Sequence, residues 1–181
     1  MKIQCFLDEE DFLTYQLFTA SKSERIRMKR IRAWLYPSFL FLVLSLITYR
    51  FSLSPLPLFF LLTGVLSLGL YPFYSRWRYK DHYKKFIREN RKGVIGKMAE
   101  ITFSEDFIIE KSDLGESKLN TSELEQINEI SSHYFLKMNT GHSLIINKTR
   151  LANPEEFRAY LESLMEAQKL PYEQELNWKW R

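Results

Sequence analysis

From Ala33 to Ser75 the chain carries a single charged residue, Arg50. A helix rises about 1.5 Å per residue, so about 20 apolar residues cross a hydrocarbon core of about 30 Å. Residues 34–51 (WLYPSFLFLVLSLITYRF) and 56–75 (LPLFFLLTGVLSLGLYPFYS) each meet that requirement. Only Ser52-Leu53-Ser54-Pro55 lies between them, so the two spans are predicted to form an antiparallel hairpin. Pro55 and Pro57 suit the first turn of the second span, where a missing N–H costs nothing. Trp34 and Tyr36, then Tyr71, Tyr74, Trp77 and Tyr79, fall at one face of such a bilayer, which amphipathic rings favour. A cleaved leader fits poorly, because the apolar run follows a long charged segment and no small-residue cleavage site follows it. Inside the spans there is no acidic residue, lysine or histidine, the groups that ion pathways and proton relays use. Thr63, Gly64, Ser67 and Gly69 put small residues on the second span, which permits close helix packing.

The net charge of +4 would suggest nucleic acid if it were spread over a folded domain. Instead it flanks the hairpin. Lys22, Arg25, Arg27, Lys29, Arg30 and Arg32 face only Glu24 before the first span, and a second basic run that includes Arg76, Arg78 and Lys80 follows the second span. Both ends of the hairpin therefore carry the positive charge that marks the cytoplasmic side. The expectation is a multi-pass protein of the inner (cytoplasmic) membrane with both termini in the cytoplasm and no nucleic-acid partner. The candidate membrane-interface residues are Arg25, Arg27, Lys29, Arg30, Arg32, Trp34, Arg76, Trp77, Arg78, Lys80, Trp178 and Trp180. Their partners would be the lipid bilayer and its anionic headgroups, at about 1 kcal/mol per basic residue near the surface.

Outside the spans the pattern changes. Lys2–Leu7 alternates as a short strand, and Asp8 is a plausible N-cap for a helix opening on Glu9, Glu10 and Asp11. Ser21-Lys22-Ser23-Glu24 reads as a capping box that restarts a basic amphipathic helix. After the second span, residues 76–92 read as a helical stem stopped by Gly93. Short alternating runs follow: Ala99–Phe103, Phe107–Glu110 after a turn at Glu105-Asp106, Ser117–Thr121 after Asp113-Leu114-Gly115, Ile127–Ser131, Tyr134–Met138 and Ser143–Ile146. Asn153 then caps a helix with Pro154 first and Phe157, Leu161 and Leu164 on one face. Six or seven antiparallel strands closed by one helix match a small pleckstrin-homology-like barrel. The fold class expected is an α+β membrane protein, a two-helix transmembrane hairpin with a cytoplasmic pleckstrin-homology-like β-barrel closed by a C-terminal helix.

The run Glu100-Ile101-Thr102-Phe103-Ser104, with Ser122-Glu123-Leu124, His133-Tyr134-Phe135-Leu136 and Ile146-Asn147-Lys148-Thr149-Arg150, resembles the C-terminal domain of YcxB-like bacterial membrane proteins. The resemblance implies two transmembrane helices ahead of a small pleckstrin-homology-like domain, and it implies no catalytic residue. The organisation that follows is 1–32 as an N-terminal strand and basic helix, 33–75 as the hairpin, 76–93 as a basic stem, 94–170 as the YcxB-like domain and 171–181 as an aromatic-basic tail. That tail either lies on the bilayer or covers a groove of the barrel.

Chemistry-bearing motifs are absent. His82, His133 and His142 have no metal-ligand spacing, and one cysteine, Cys5, makes neither a disulfide framework nor a zinc site. Gly93 and Gly96 lack both phosphate-loop and dinucleotide spacing. No cofactor, metal or enzymatic activity is expected, and replacing the three histidines with alanine should leave function intact. The reading is a membrane-anchored, non-enzymatic adaptor or regulator whose domain binds a protein or peptide by accepting an added strand. The alternative is an immunity-type or transport-associated protein acting through spans assembled as a homo-oligomer.

Overall fold

A computed structural model describes residues 1–51, 55–104, 106–113 and 115–180. The span connection at Ser52-Leu53-Ser54, Glu105 in the turn at 105–106, Leu114 in the 113–115 turn and Arg181 lie outside the described residues. The chain divides into a β-rich unit, residues 1–15 and 86–179, and a helical unit, residues 16–85 with Trp180.

The β-rich unit opens with β1 (Lys2–Phe6) and the start of α1 (Glu9–Lys22). Strands β2 (Met98–Phe103), β3 (Phe107–Ser112), β4 (Gly115–Asn120), β5 (Leu124–Ile130), β6 (His133–Met138) and β7 (Ser143–Asn147) follow, then α4 (Pro154–Gln168) and β8 (Tyr172–Glu175). They make two four-stranded sheets, ordered β1-β2-β3-β4 and β7-β6-β5-β8. Every pair is antiparallel except β5 with β8, which is parallel. Among the described residues no ladder joins the two sheets, so they form an open pair and not the closed barrel expected. The chain changes sheets at a short 3₁₀ turn, Thr121–Glu123, which interrupts pairing between β4 and β5.

The strand positions agree with the alternating pattern to within a few residues, because alternation at period two fixes which face is buried. Ile101, Phe103, Ile108, Ile127, Leu136, Met138 and Ile146 point into one core with Phe157, Leu161 and Leu164 of α4. Those three lie one helical turn apart in succession, which puts them on one face. Phe157 meets Phe103 and Tyr134 with ring centroids 5.5 and 5.6 Å apart.

Two features depart from the sequence reading. β8 was expected only as tail. More consequentially, β1 pairs with β2 in register from Lys2↔Thr102 to Phe6↔Met98. The β-rich fold is therefore discontinuous in sequence, its first strand preceding the apolar hairpin and the rest following it. A domain bounded at 94–170 omits a strand of its own sheet.

In the helical unit, α2 (Glu24–Phe51) is one continuous helix of 28 residues, and α3 (Leu56–Asn90) one of 35. The basic segment and the stem are thus the ends of the span helices. α2 is capped by Ser23, whose Oγ accepts from the Ile26 N–H at 3.4 Å, while the Ser21 hydroxyl donates to the Phe18 carbonyl at 2.6 Å. The capping residue is Ser23, not Ser21. Both helices are long and apolar enough to cross a membrane. Their apolar windows are only 11% and 6% buried, unlike a core helix of a soluble fold, with Leu46 69% and Phe59 60% exposed.

α2 and α3 meet along a polar seam. Ser38 Oγ and Ser67 Oγ lie 2.9 Å apart, and Ser45 Oγ donates to the Pro57 carbonyl at 2.7 Å. Gly64 sits where a Cβ would come 3.0 Å from Leu42 Cδ2, so glycine there permits the helices to approach closely. Pro72 has no N–H to offer the Leu68 carbonyl four residues earlier. Trp34 Nε1 donates to that carbonyl at 3.0 Å, satisfying a backbone acceptor that hydrocarbon cannot solvate. Replacing Trp34 with Phe is expected to destabilise the hairpin by about 1–2 kcal/mol. In a Pro72→Ala background the restored N–H serves Leu68, and the same replacement should cost less than half as much. Unfolding of both pairs in bicelles measures this cycle; equal costs in the two backgrounds would mean the indole bond contributes nothing.

Candidate functional site

The interface residues singled out from the sequence fall on three segments. Arg25, Arg27, Lys29, Arg30, Arg32 and Trp34 lie on α2, Arg76, Trp77, Arg78 and Lys80 on α3, and Trp178 and Trp180 near the C-terminus. The helical unit brings some of them together around Arg30. Its Nε donates to Ser75 Oγ at 3.3 Å, and its guanidinium lies 4.6 Å from the Trp180 ring and 5.5 Å from the Tyr79 ring. Trp180 also packs on Tyr79 at 6.1 Å and donates from Nε1 to the Arg76 carbonyl at 3.4 Å. A planar guanidinium is weakly hydrated and stacks on aromatic faces, which explains why the indole settles there. Trp180 is therefore held by α2 and α3. Trp178 belongs to the β-rich unit, its backbone N–H on the Glu175 carbonyl.

Two cavities open beside this cluster, each of ordinary headgroup size. One, of about 280 Å³, is lined by Arg27, Arg30, Trp34, Tyr71 and Ser75. The other, of about 260 Å³, is lined by Lys29, Tyr71, Arg78, Tyr79 and His82. Both cavities combine cationic side chains with aromatic and apolar ones, Ile31 and Pro72 completing the first and Ala33 the second. Arg25, Arg32, Trp77 and Lys80 are exposed and line neither cavity. Sequence spacing marked Tyr79 only as an interface ring and missed Ser75, since only helix pairing places them opposite Arg30.

A second constellation lies in the β-rich unit and was not visible as a group. Asp11, 3% exposed, accepts at Oδ1 from His133 Nε2 (2.9 Å) and Asn147 Nδ2 (2.7 Å). At Oδ2 it accepts from Arg150 Nη1 (2.7 Å) and from the Asp8 N–H (2.8 Å). Asp8 Oδ1 in return accepts the Asp11 N–H at 3.0 Å, a reciprocal cap of the α1 N-terminus. Burial pushes the Asp11 carboxyl up, but the His133, Asp8 and Asn147 hydrogen bonds and the Arg150 charge outweigh it and hold the group below the usual carboxylate range. A carboxylate only accepts, so His133 Nε2 carries a proton, while Ser132 Oγ lies 2.7 Å from Nδ1.

Ser132, His133 and Asp11 stand in the order of a nucleophile relay. Here, however, His133 is 4% exposed and stacked on Phe135 at 5.7 Å, and Asp11 is shared among four donors. The arrangement works as a charge tie between the N-terminal segment and the β5–β6 turn. Replacing His133 removes a donor from a buried carboxylate. His82 lines a cavity, and the His142 carbonyl accepts from the Met138 N–H. Nearby, burial pushes the Cys5 thiol up to about 12, with its Sγ 3.6 Å from the Ile145 carbonyl. A protonated, enclosed thiol of this kind is inert.

Residues 103–162 match the family model described as YcxB-like protein. The match takes in β2's last residue through most of α4, and the two apolar helices lie N-terminal to it. No curated protein and no solved structure matches the chain.

Proposed function

We propose that this chain, whose residues 103–162 are YcxB-like, is a multi-pass anchor of the cytoplasmic membrane that presents a pleckstrin-homology-like domain to a protein or peptide partner. It acts as an adaptor and not as an enzyme. The observation that carries this reading is the pairing of β1 with β2. One strand precedes the hairpin and the other follows it, so the two ends of the hairpin share one side of any membrane the helices cross. An even number of crossings satisfies this, and the basic runs at both ends favour the cytoplasm as that side. The cavities around Arg30 then take anionic headgroups. In the β-rich unit the first sheet ends in β4, whose residues are mostly exposed and whose outer edge offers unpaired backbone groups for strand addition.

Green fluorescent protein fused after residue 181 should fluoresce and alkaline phosphatase there should be inactive; active phosphatase would defeat the orientation. A photoreactive residue in place of Glu116 on β4 should cross-link a cytoplasmic protein in intact cells. Cross-links confined to lipid and to the chain itself would remove the adaptor role.

A further inference from the structure

β5 is the edge of the second sheet except for β8, four residues laid along it in parallel with Ile127↔Tyr172, Asn128↔Glu173, Glu129↔Gln174 and Ile130↔Glu175. β8 follows α4 after Leu170-Pro171, and the Pro171 carbonyl accepts the Ile127 N–H at 3.0 Å. Tyr172, Glu173 and Gln174 are exposed, so little apolar burial holds the strand down. Its specific grip is on Glu129, a carboxylate 5% exposed. The Tyr172 hydroxyl and Gln174 Nε2 (2.9 Å) both donate to Glu129 Oε2, while Lys148 Nζ occupies Oε1. β8 is short and solvent-facing, and Tyr172 and Gln174 are two of the side chains that tie it to β5.

We propose that the β5 edge is a second peptide-docking site of this protein, distinct from the β4 edge and occupied in the resting chain by β8. It takes an extended segment, parallel to β5, that bears hydrogen-bond donors at two alternating positions. The side-chain requirement follows from Glu129. When β8 leaves, Oε2 exchanges two protein donors for water. An incoming strand that covers Glu129 again without returning those donors would bury an acceptor short of partners, so the edge selects by chemistry as well as by backbone pairing. Lys148 holds the other oxygen throughout. This site deepens the adaptor reading and rests on it.

The test uses the full chain in nanodiscs of zwitterionic lipid and, as probe, a fluorescent peptide of the chain's own residues 170–178. Tyr172→Ala/Gln174→Ala in the protein removes both donors from the resident strand. The peptide should bind this variant at least tenfold more tightly than it binds the unaltered chain. Pro171→Gly, which leaves β8 intact but loosens its hinge, should give a smaller gain in the same direction. A peptide carrying Phe and Leu in place of Tyr172 and Gln174 should lose at least tenfold. Equal affinity for both proteins, for both peptides, or no binding at all would mean β8 is a fixed part of the sheet and would overturn the site. Mixed oligomers of the variant with unaltered chain in the absence of peptide would assign the edge to a second copy and overturn the peptide occupant. A photocross-linked partner on β4 together with no capture at β5 would leave the adaptor reading standing and remove this site alone.

Discussion

Residues 94–170 expressed alone are expected to lack a stable native fold, and joining residues 1–15 to 86–179 through a flexible linker in place of 16–85 should restore it. The reason lies in β1. Removing this segment strips five residue pairs from β2 and takes away Cys5, Ile3, Leu7 and Met1, which pack in or against the core. Burial of one large aliphatic side chain contributes about 1.5–3 kcal/mol, and domains are stable by only about 5–15 kcal/mol. Losing several such groups and a sheet partner together consumes most of that margin. The same cut removes Asp8 and Asp11 from the cluster around Arg150. Cys5, the one cysteine of the chain, gives the readout in the linked protein. Its enclosed thiol should resist alkylation at neutral pH and react at the rate of a free thiol once denaturant frees β1. A cooperatively unfolding 94–170 fragment, or a Cys5 that reacts freely in the folded protein, would contradict the pairing.

Asp11→Ala should cost about 1–3 kcal/mol, because buried His133 loses its acceptor while the partly exposed Arg150 is still compensated by Asp8. Arg150 would keep Asp8 at 2.5 Å but lose its bond to Oδ2, and His133 and Asn147 would lose their acceptor. The pH dependence follows from the same carboxylate. Because its folded pKa is depressed, Asp11 contributes stability that is fully present above the ordinary carboxylate range, near pH 4. That contribution falls away as the pH drops below this range toward the folded value. Denaturant midpoints should therefore hold from pH 7 to about pH 5 and fall below about pH 4 in the unaltered chain, and fall less in Asp11→Asn. Parallel declines would mean that other carboxylates dominate acid unfolding. Coupling between Asp11→Ala and His133→Ala should also be large, since both act on one bond.

The sequence alone determined the apolar spans, their basic flanks and most strand positions, because each rests on a local regularity. An uninterrupted apolar run needs no partner to be recognised. Alternation at period two marks β2 through β7, and the Phe157–Leu161–Leu164 spacing marks α4. What the sequence did not disclose depends on which segments meet. Lys2–Phe6 reads as a strand, but nothing local says that its partner lies beyond the hairpin at Met98–Phe103. Tyr172–Glu175 is too short and too polar to read as a strand, and only the free β5 edge makes it one. Asp11 looks like a helix-start acid until His133, Asn147 and Arg150 converge on it. Trp34 looks like an interface ring until Pro72 leaves the Leu68 carbonyl for its indole. Local propensity is written residue by residue, whereas a buried polar group takes its role from whichever donor or acceptor the fold carries to it, and that was decided by tertiary structure.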